Sequence, residues 1–277
     1  MKSLFSVNVK TNEVSGEEFI LRKPDSELSR KSDEASETLS AYKKKSGMPL
    51  WYNIIMYVFL FAFVVCIPAF MEGCIDNGFK DTYQRGSWAL YVGGAGLLIG
   101  FAMYVVKRVR LTKVVQSPEV VEFVSGMDEL ADKIKANLHV PENCADIDVL
   151  SRPYKLKNGK EILGTNFFRC FNLTFWVFKE GDFLCFGCNE GVYGIPLTSI
   201  TEIITVKKQM SVPQWNKDEP IKDEKYKPYV KANNNGMYFI KKHYSVRFTR
   251  HGEEWEILIP AYDIDIISEL TGRYPTV

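Results

Sequence analysis

Cys185 and Cys188, three residues apart in GDFLCFGCNEG, form the most chemically suggestive spacing in this chain. A C-x-x-C can hold zinc or carry thiol–disulfide exchange. A zinc site needs four ligands, yet no second pair follows and His139, His243 and His251 are scattered. The flanks read as a strand entering a turn, and strand residues three apart face opposite sides. Neither zinc nor redox chemistry is expected. His251-Gly252-Glu253-Glu254 resembles part of an H-E-x-x-H zinc helix without its second histidine, and a hairpin turn accounts for it better. Gly159-Lys160 lacks the upstream glycine and the following Ser or Thr of a phosphate loop. The paired carboxylates Glu253/Glu254 and Asp263/Asp265 lie in polar surroundings that predict exposure. Acid–base work would require burial or coupling to shift their pKa. The expectation is a non-enzyme with no catalytic residue, metal site or cofactor.

The elements that must position any function are dominated by two apolar runs. Residues 50–71 (LWYNIIMYVFLFAFVVCIPAFM) and 88–106 (WALYVGGAGLLIGFAMYVV) contain no charged residue. A helix of about 20 apolar residues crosses a bilayer core of about 30 Å. Trp51, Tyr52 and Trp88 stand at the segment ends, where amphipathic rings favour the interface. The first run lies behind a charged stretch, which does not fit a cleaved leader. Lys43, Lys44 and Lys45 precede the first run, and Lys107, Arg108, Arg110 and Lys113 follow the second. In the loop expected between the runs, over 72–87, Lys80 and Arg85 are offset by Glu72, Asp76 and Asp81. Basic residues stay on the cytoplasmic side, so a multi-pass protein of the plasma membrane with both termini cytoplasmic is expected. Cys144, Cys170, Cys185 and Cys188 are then in a reducing compartment and expected as free thiols, and the Asn172-Leu173-Thr174 sequon is expected to be unused.

Gly93, Gly96 and Gly100 line one face of the second run. Small residues let helices approach closely, so this face is expected to pack on the first run or on another copy, a candidate homo-oligomer contact. Neither run carries a charge of the kind that marks ion pathways, which favours an anchor over a channel. Lys107, Arg108, Arg110 and Lys113 are candidate contacts for anionic lipid.

Over the whole chain, 35 basic and 34 acidic residues leave a charge of +1, which argues against nucleic acid as a partner. Residues 1–47 are rich in Ser, Glu and Lys and read as a disordered cytoplasmic tail; Val14 to Leu21 is its one apolar patch suited to docking. Residues 48–107 form the hairpin. Residues 108–149 read as a helical connector, with Gly126 dividing it. From 150 to 277 strand patterns dominate, with turns at Lys179 to Asp182 and at Arg250 to Glu253 and a corner at Pro196 to Ser199. The last element is helical: Tyr262, Ile266, Ile267 and Leu270 share one face and Gly272 suits its C-terminal cap. A long insert near 207–235 sets Lys207 and Lys208 beside Trp215, Tyr226 and Tyr229, a candidate ligand or lipid loop. Asp218, Glu219, Asp223 and Glu224 offset its lysines.

The order of strand, K-E-G-D turn, F-L-C-F, G-I-P-L-T-S-I-T-E-I, hairpin and I-P-A-Y-D-I-D-I-I-S-E-L resembles bacterial pleckstrin-homology-like domains that follow one or two membrane helices. The resemblance covers about residues 150–273 and implies a bent antiparallel sheet or barrel with a C-terminal capping helix. It also implies a binding or scaffold domain for a protein or peptide. The insert departs from that pattern. The fold expected is a membrane-anchored α+β protein. The alternative function is an accessory subunit of a larger membrane complex, transport or envelope-related, recognised through its hairpin.

Overall fold

The computed structural model describes residues 1–8, 14–157, 160–163, 170–217, 219–232 and 237–276. Gly159, the start of the predicted strand at Asn166, Asp218 and the 233–236 part of the insert lie outside them. In chain order the elements are β1 (Lys2–Ser3), β2 (Val7–Asn8), β3 (Ile20–Arg22), α1 (Ser26–Ser46), α2 (Leu50–Asn77), α3 (Phe79–Val115) and α4 (Pro118–Asn137). There follow β4 (Ala145–Ser151), β5 (Pro153–Lys157), β6 (Lys160–Leu163), β7 (Phe171–Glu180), β8 (Phe183–Cys188), β9 (Gly191–Pro196) and β10 (Ile200–Val206). The chain closes with β11 (Met210–Val212), β12 (Val230–Ala232), β13 (Tyr238–Ile240), β14 (His243–Arg250), β15 (Glu253–Pro260) and α5 (Ile264–Thr271). The fold is α+β, with two long apolar helices and a large, mainly antiparallel sheet. It divides into residues 30–130 and a second unit made of 1–29 with 131–277.

In the helical unit, α2 and α3 are long and apolar enough to cross a membrane. The expected loop over 72–87 is helical instead: α2 runs to Asn77, α3 begins at Phe79, and Gly78 alone, with φ of 79°, reverses the chain. No proline occurs between Glu72 and Ser87, so nothing else stops either helix. α4 passes through Gly126 unbroken, and Tyr42 of α1 meets Phe123 of α4 with ring centroids 5.5 Å apart.

The main sheet of the second unit runs β10-β14-β15-β4-β7-β8-β9-β3, with β1 parallel beside β15. Its hairpins follow from their turns. Gly181 takes φ of 55° between β7 and β8, and His251 and Gly252 take 50° and 77° between β14 and β15. Two successive positive φ values suit the right-handed strand twist. At the corner after β9, one turn of 3-10 helix covers Leu197–Ser199, fixed by Leu197 N–H on the Asp182 carbonyl at 2.8 Å. Ile200 and Ile203 then point back into the core, while Leu197 is half-buried against it. Ile264 and Ile267 of α5 complete that core.

The N-terminal residues are part of this sheet, which corrects the expected disordered tail over 1–47. Leu4, Phe5 and Phe19 are fully buried in the main core. The Phe5 ring lies 4.3 Å from that of Phe175 and 5.0 Å from that of Tyr193. Phe19 meets Trp255 at 5.0 Å. The Val14–Leu21 patch thus docks on the chain's own strands, β3 pairing with β9, and burial of three bulky side chains offsets part of the entropy of ordering the segment. Residues 26–46 form α1. The expected connector over 108–149 is also corrected: it contains β4, a central strand of the sheet. The insert is ordered wherever it is described, as a three-stranded sheet of β11, β13 and β12. Met210, Val212, Val230 and Ile240 pack on Leu150 of β4 and Leu258 of β15. Ile147 and Val149 face the main core, so β4 is covered on both faces.

Candidate functional site

Each glycine of the predicted packing face meets α2. A methyl group on Gly96 would sit 2.5 Å from the Phe59 carbonyl oxygen, and one on Gly93 or Gly100 would meet Ile67 or Leu60 at 2.8 and 2.7 Å. The seam is filled within the chain, so another copy cannot use it without parting the helices. Away from the seam the apolar side chains are bare: Leu50, Phe61 and Leu98 are 77%, 68% and 71% exposed. Among the four cations after the second run, Lys107 donates to Asn53 Oδ1 at 2.8 Å and Arg108 to the Tyr104 hydroxyl at 2.8 Å. Arg110 reaches the Lys45 carbonyl at 3.2 Å, and Lys113 is exposed. They form a basic collar that also ties the helix ends together.

The candidate loop of Lys207, Lys208, Trp215, Tyr226 and Tyr229 does not come together as a surface patch. Lys207 and Lys208 are exposed, whereas Tyr226 is buried and Trp215 and Tyr229 are half-buried against the second core. Trp215, Tyr226 and Tyr262 form a triangle of edge-on rings with centroids 5.2–5.6 Å apart. The Tyr226 hydroxyl donates to Glu219 Oε2 at 2.5 Å. The aromatic residues hold the insert down rather than offering it to a ligand.

Beneath them lies a polar cluster that joins the insert, β4, β7 and the start of α5. Asp148 is completely buried and Asp263 is 5% exposed, a correction to the expected exposure of the 263/265 pair. The carboxylate of Asp148 accepts from the Tyr262 hydroxyl at 2.7 Å, Asn172 Nδ2 at 3.2 Å and the Thr174 hydroxyl at 3.3 Å. The peptide N–H of Asp148 donates to Asp263 Oδ2 at 2.7 Å, and Lys217 Nζ lies 3.1 Å from the same oxygen. Lys217 also donates to the Asp146 carbonyl at 3.0 Å, and Asn216 to the Asn172 carbonyl and the Thr174 hydroxyl, both at 3.1 Å. Burial raises the pKa of Asp263 to about 6; Lys217 and the Asp148 peptide pull it down, and the Asp148 charge adds to the rise. The sequence signal was available: Asp148 interrupts an apolar strand run, IDVL, where a carboxylate needs partners.

Cys185 is buried and Cys188 half-buried on β8, and burial pushes their thiols up to about 11 and about 12, away from reactive thiolates. Among the described residues, no cysteine is joined in a disulfide. Glu253 and Glu254 are exposed, Glu253 pairing with Lys2 at 2.6 Å. Among the described residues, no three His, Cys, Asp or Glu side chains are grouped to hold a metal ion. A shallow cleft of about 270 Å³ lies over β10 and β14, lined by Thr201, Glu202, Arg247 and Glu254, and an Arg247–Glu202 pair at 2.7 Å fills its polar side. No protein-family model, curated protein or solved structure matches this chain.

Proposed function

We propose that this is a non-enzymatic integral membrane protein. Its α2–α3 hairpin anchors a cytosolic domain of pleckstrin-homology-like type that serves as a protein- or peptide-binding scaffold at the membrane. The observation that carries the reading is the hairpin's surface: two helices that cover each other only along a glycine seam and present bare apolar side chains elsewhere. In water that area would be strongly unfavourable, and lipid satisfies it. The basic collar at one end of the hairpin, set against the mixed charges at Gly78, orients it with both termini in the cytoplasm. The β unit, drawn from chain before and after the hairpin, requires both flanks on one side of the bilayer. For the domain type, the run β10-β14-β15-β4-β7-β8-β9 with a terminal α5 supports the pleckstrin-homology-like assignment. The alternative, a subunit recognised through its glycine face, loses that surface to α2.

Native cysteines supply the test. Cys74 is near the Gly78 reversal and Cys144 precedes β4. A membrane-impermeant maleimide applied to sealed vesicles of either orientation is expected to label Cys74 and Cys144 from opposite sides, with C74S and C144S identifying the bands. Labelling of both from one side removes the spanning hairpin. For the scaffold, affinity capture from mild detergent should retain the same partners with the native chain and with a hairpin replaced by an unrelated one. Partners that follow the native hairpin alone favour the subunit reading.

A further inference from the structure

Arg22, Arg30, Arg152 and Arg247 each lie on a carboxylate. The cations at the end of the hairpin that joins α1 and α4 are held differently. Lys107 Nζ donates to Asn53 Oδ1 at 2.8 Å, and Asn53 is itself fixed by donating to the Met48 and Pro49 carbonyls at 3.2 and 3.3 Å. Arg110 donates to the Lys45 carbonyl at 3.2 Å and meets the Met48 sulfur at 3.7 Å. All of these acceptors are neutral, and a thioether is a weak one. No Asp or Glu occurs between Glu37 and Glu72 or between Asp81 and Glu119. The end of α3 thus clamps the 47–49 turn between α1 and α2 with two cations whose charge is not neutralised. Aromatic rings stand beside the clamp: Trp51 is exposed, and the Tyr52 hydroxyl donates to the Met103 carbonyl at 2.9 Å. Such rings favour the boundary between acyl chains and headgroups, which puts the clamp at headgroup depth.

We propose that the 47–49 turn and the end of α3 form a site for the headgroup of an anionic phospholipid, its phosphodiester oxygens on Arg110 and Lys107 and its acyl chains along the bare side chains of the hairpin. The assignment rests on the reading of the hairpin as a membrane anchor. A phosphodiester suits both donors. Arg110 Nη1 exchanges a thioether for a charged oxygen, and the Lys107 ammonium keeps two N–H groups besides the one on Asn53. Lys44 and Lys45 at the end of α1, and Lys113 one turn beyond Arg110, are exposed. Their charge favours an anionic over a zwitterionic headgroup. Because the turn follows α1 and Arg110 belongs to α3, a lipid bound there joins the segments by which the chain enters and leaves the hairpin.

Native mass spectrometry of the full chain, released from mild detergent containing equimolar dioleoylphosphatidylglycerol and dioleoylphosphatidylcholine, tests this. One phosphatidylglycerol is expected to be retained over phosphatidylcholine by about tenfold or more. A cation near the surface is worth about a factor of five, so Lys107→Gln combined with Arg110→Gln should weaken retention about 30-fold. Arg108→Gln combined with Lys113→Gln removes the same charge outside the clamp and should weaken it by less than about fivefold. No preference in the native chain, or equal losses in the two double variants, overturns the site. The native-chain preference is decisive even where the clamp variant folds poorly. Soluble glycerol phosphate at matching concentration should leave retention unchanged; competition by it would assign the clamp to a free phosphate and overturn the lipid. Flotation with phosphatidylcholine vesicles separates the two readings. A chain that does not float removes the anchor, whereas one that floats without selecting phosphatidylglycerol removes this site alone.

Discussion

At the scale of single residues, two buried titratable groups pull the stability of the β unit in opposite directions with pH. His243 is fully buried, and neither ring nitrogen has a hydrogen-bond partner among the described residues. Burial, and after it the charge of Arg152, lowers its pKa from 6.5 to about 4. Between those values the unfolded chain takes a proton that the folded chain refuses. Stability therefore falls as pH drops through that window, by about 3 kcal/mol in full. Asp263 has the opposite sign. Its raised pKa lets the folded chain take a proton first, and stability rises by about 3 kcal/mol between pH 6 and 3.8. The two contributions nearly offset one another in the native chain. His243→Asn is expected to make the thermal midpoint climb, relative to the native protein, as pH falls from 6.5 to 4. Asp263→Asn should make it fall more steeply over the lower part of that range. Melting curves whose pH dependence is the same in both variants would remove this assignment.

At the scale of elements, the glycines divide into those that are filled and those that are open. Gly96 lies against the Phe59 backbone, whereas nothing stands within 4 Å of a methyl group on Gly94. Gly96→Ala must push α2 and α3 apart and should cost about 1–3 kcal/mol in a reversible detergent unfolding assay. Gly94→Ala should leave stability unchanged or raise it slightly, since alanine is the better helix former. Equal effects from the two would mean the seam does not pack as described. A second pair of glycines explains why the N-terminal strand escaped the sequence reading. Gly191 and Gly194 fall in GVYGIP, a run whose alternation reads as a strand leading to the corner at Pro196 to Ser199. In the structure a methyl group on Gly194 would fall 2.2 Å from Leu21, and Gly191 faces the Arg22 carbonyl at 2.5 Å. Glycine within a strand marks the close approach of another backbone, but the sequence does not say which backbone approaches. The β-hairpins, the terminal helix and the apolar helices were legible because each follows from local periodicity and turn chemistry. The docking of β1 to β3, and the Asp148–Asp263 pairing across more than a hundred residues, depend on contacts that periodicity does not encode. Phe5→Ala gauges that docking. Removing a ring packed on Phe175, Phe186 and Tyr193 should cost about 3–5 kcal/mol. The same change at exposed Phe61 should leave the β unit's melting unchanged in detergent.

At the scale of the whole molecule, the β unit is discontinuous in sequence, and this decides how it can be separated from the hairpin. Residues 131–277 alone lack Leu4, Phe5 and Phe19, so they would expose the core faces of Phe175, Phe186, Tyr193 and Trp255. Residues 1–29 supply those side chains together with the Arg22–Glu180 pair, two bonds of 2.8 and 2.7 Å. The two pieces also meet where the helices begin and end: Asp25 N–H donates to Asn137 Oδ1 at 3.0 Å, and Asn137 Nδ2 returns a bond to Asp25 Oδ2 at 3.2 Å. A Gly/Ser linker of about six residues, which spans roughly 13 Å, would join residue 29 of α1 to residue 131 of α4, near the Asp25–Asn137 bonds. The joined chain is expected to be a water-soluble monomer that keeps the near-ultraviolet circular dichroism of the native β unit. Residues 131–277 without the N-terminal piece should aggregate or require detergent, and adding residues 1–29 as a separate peptide should restore part of the signal. If 131–277 folds alone with the same spectrum and melting point, the N-terminal strands are decoration on a finished sheet. Both flanks of the hairpin would then be free to lie on different sides of a bilayer. Solubility of the joined chain would show instead that the apolar demand of this protein resides in residues 30–130, and that closure of the sheet from both sides fixes the hairpin's two ends together.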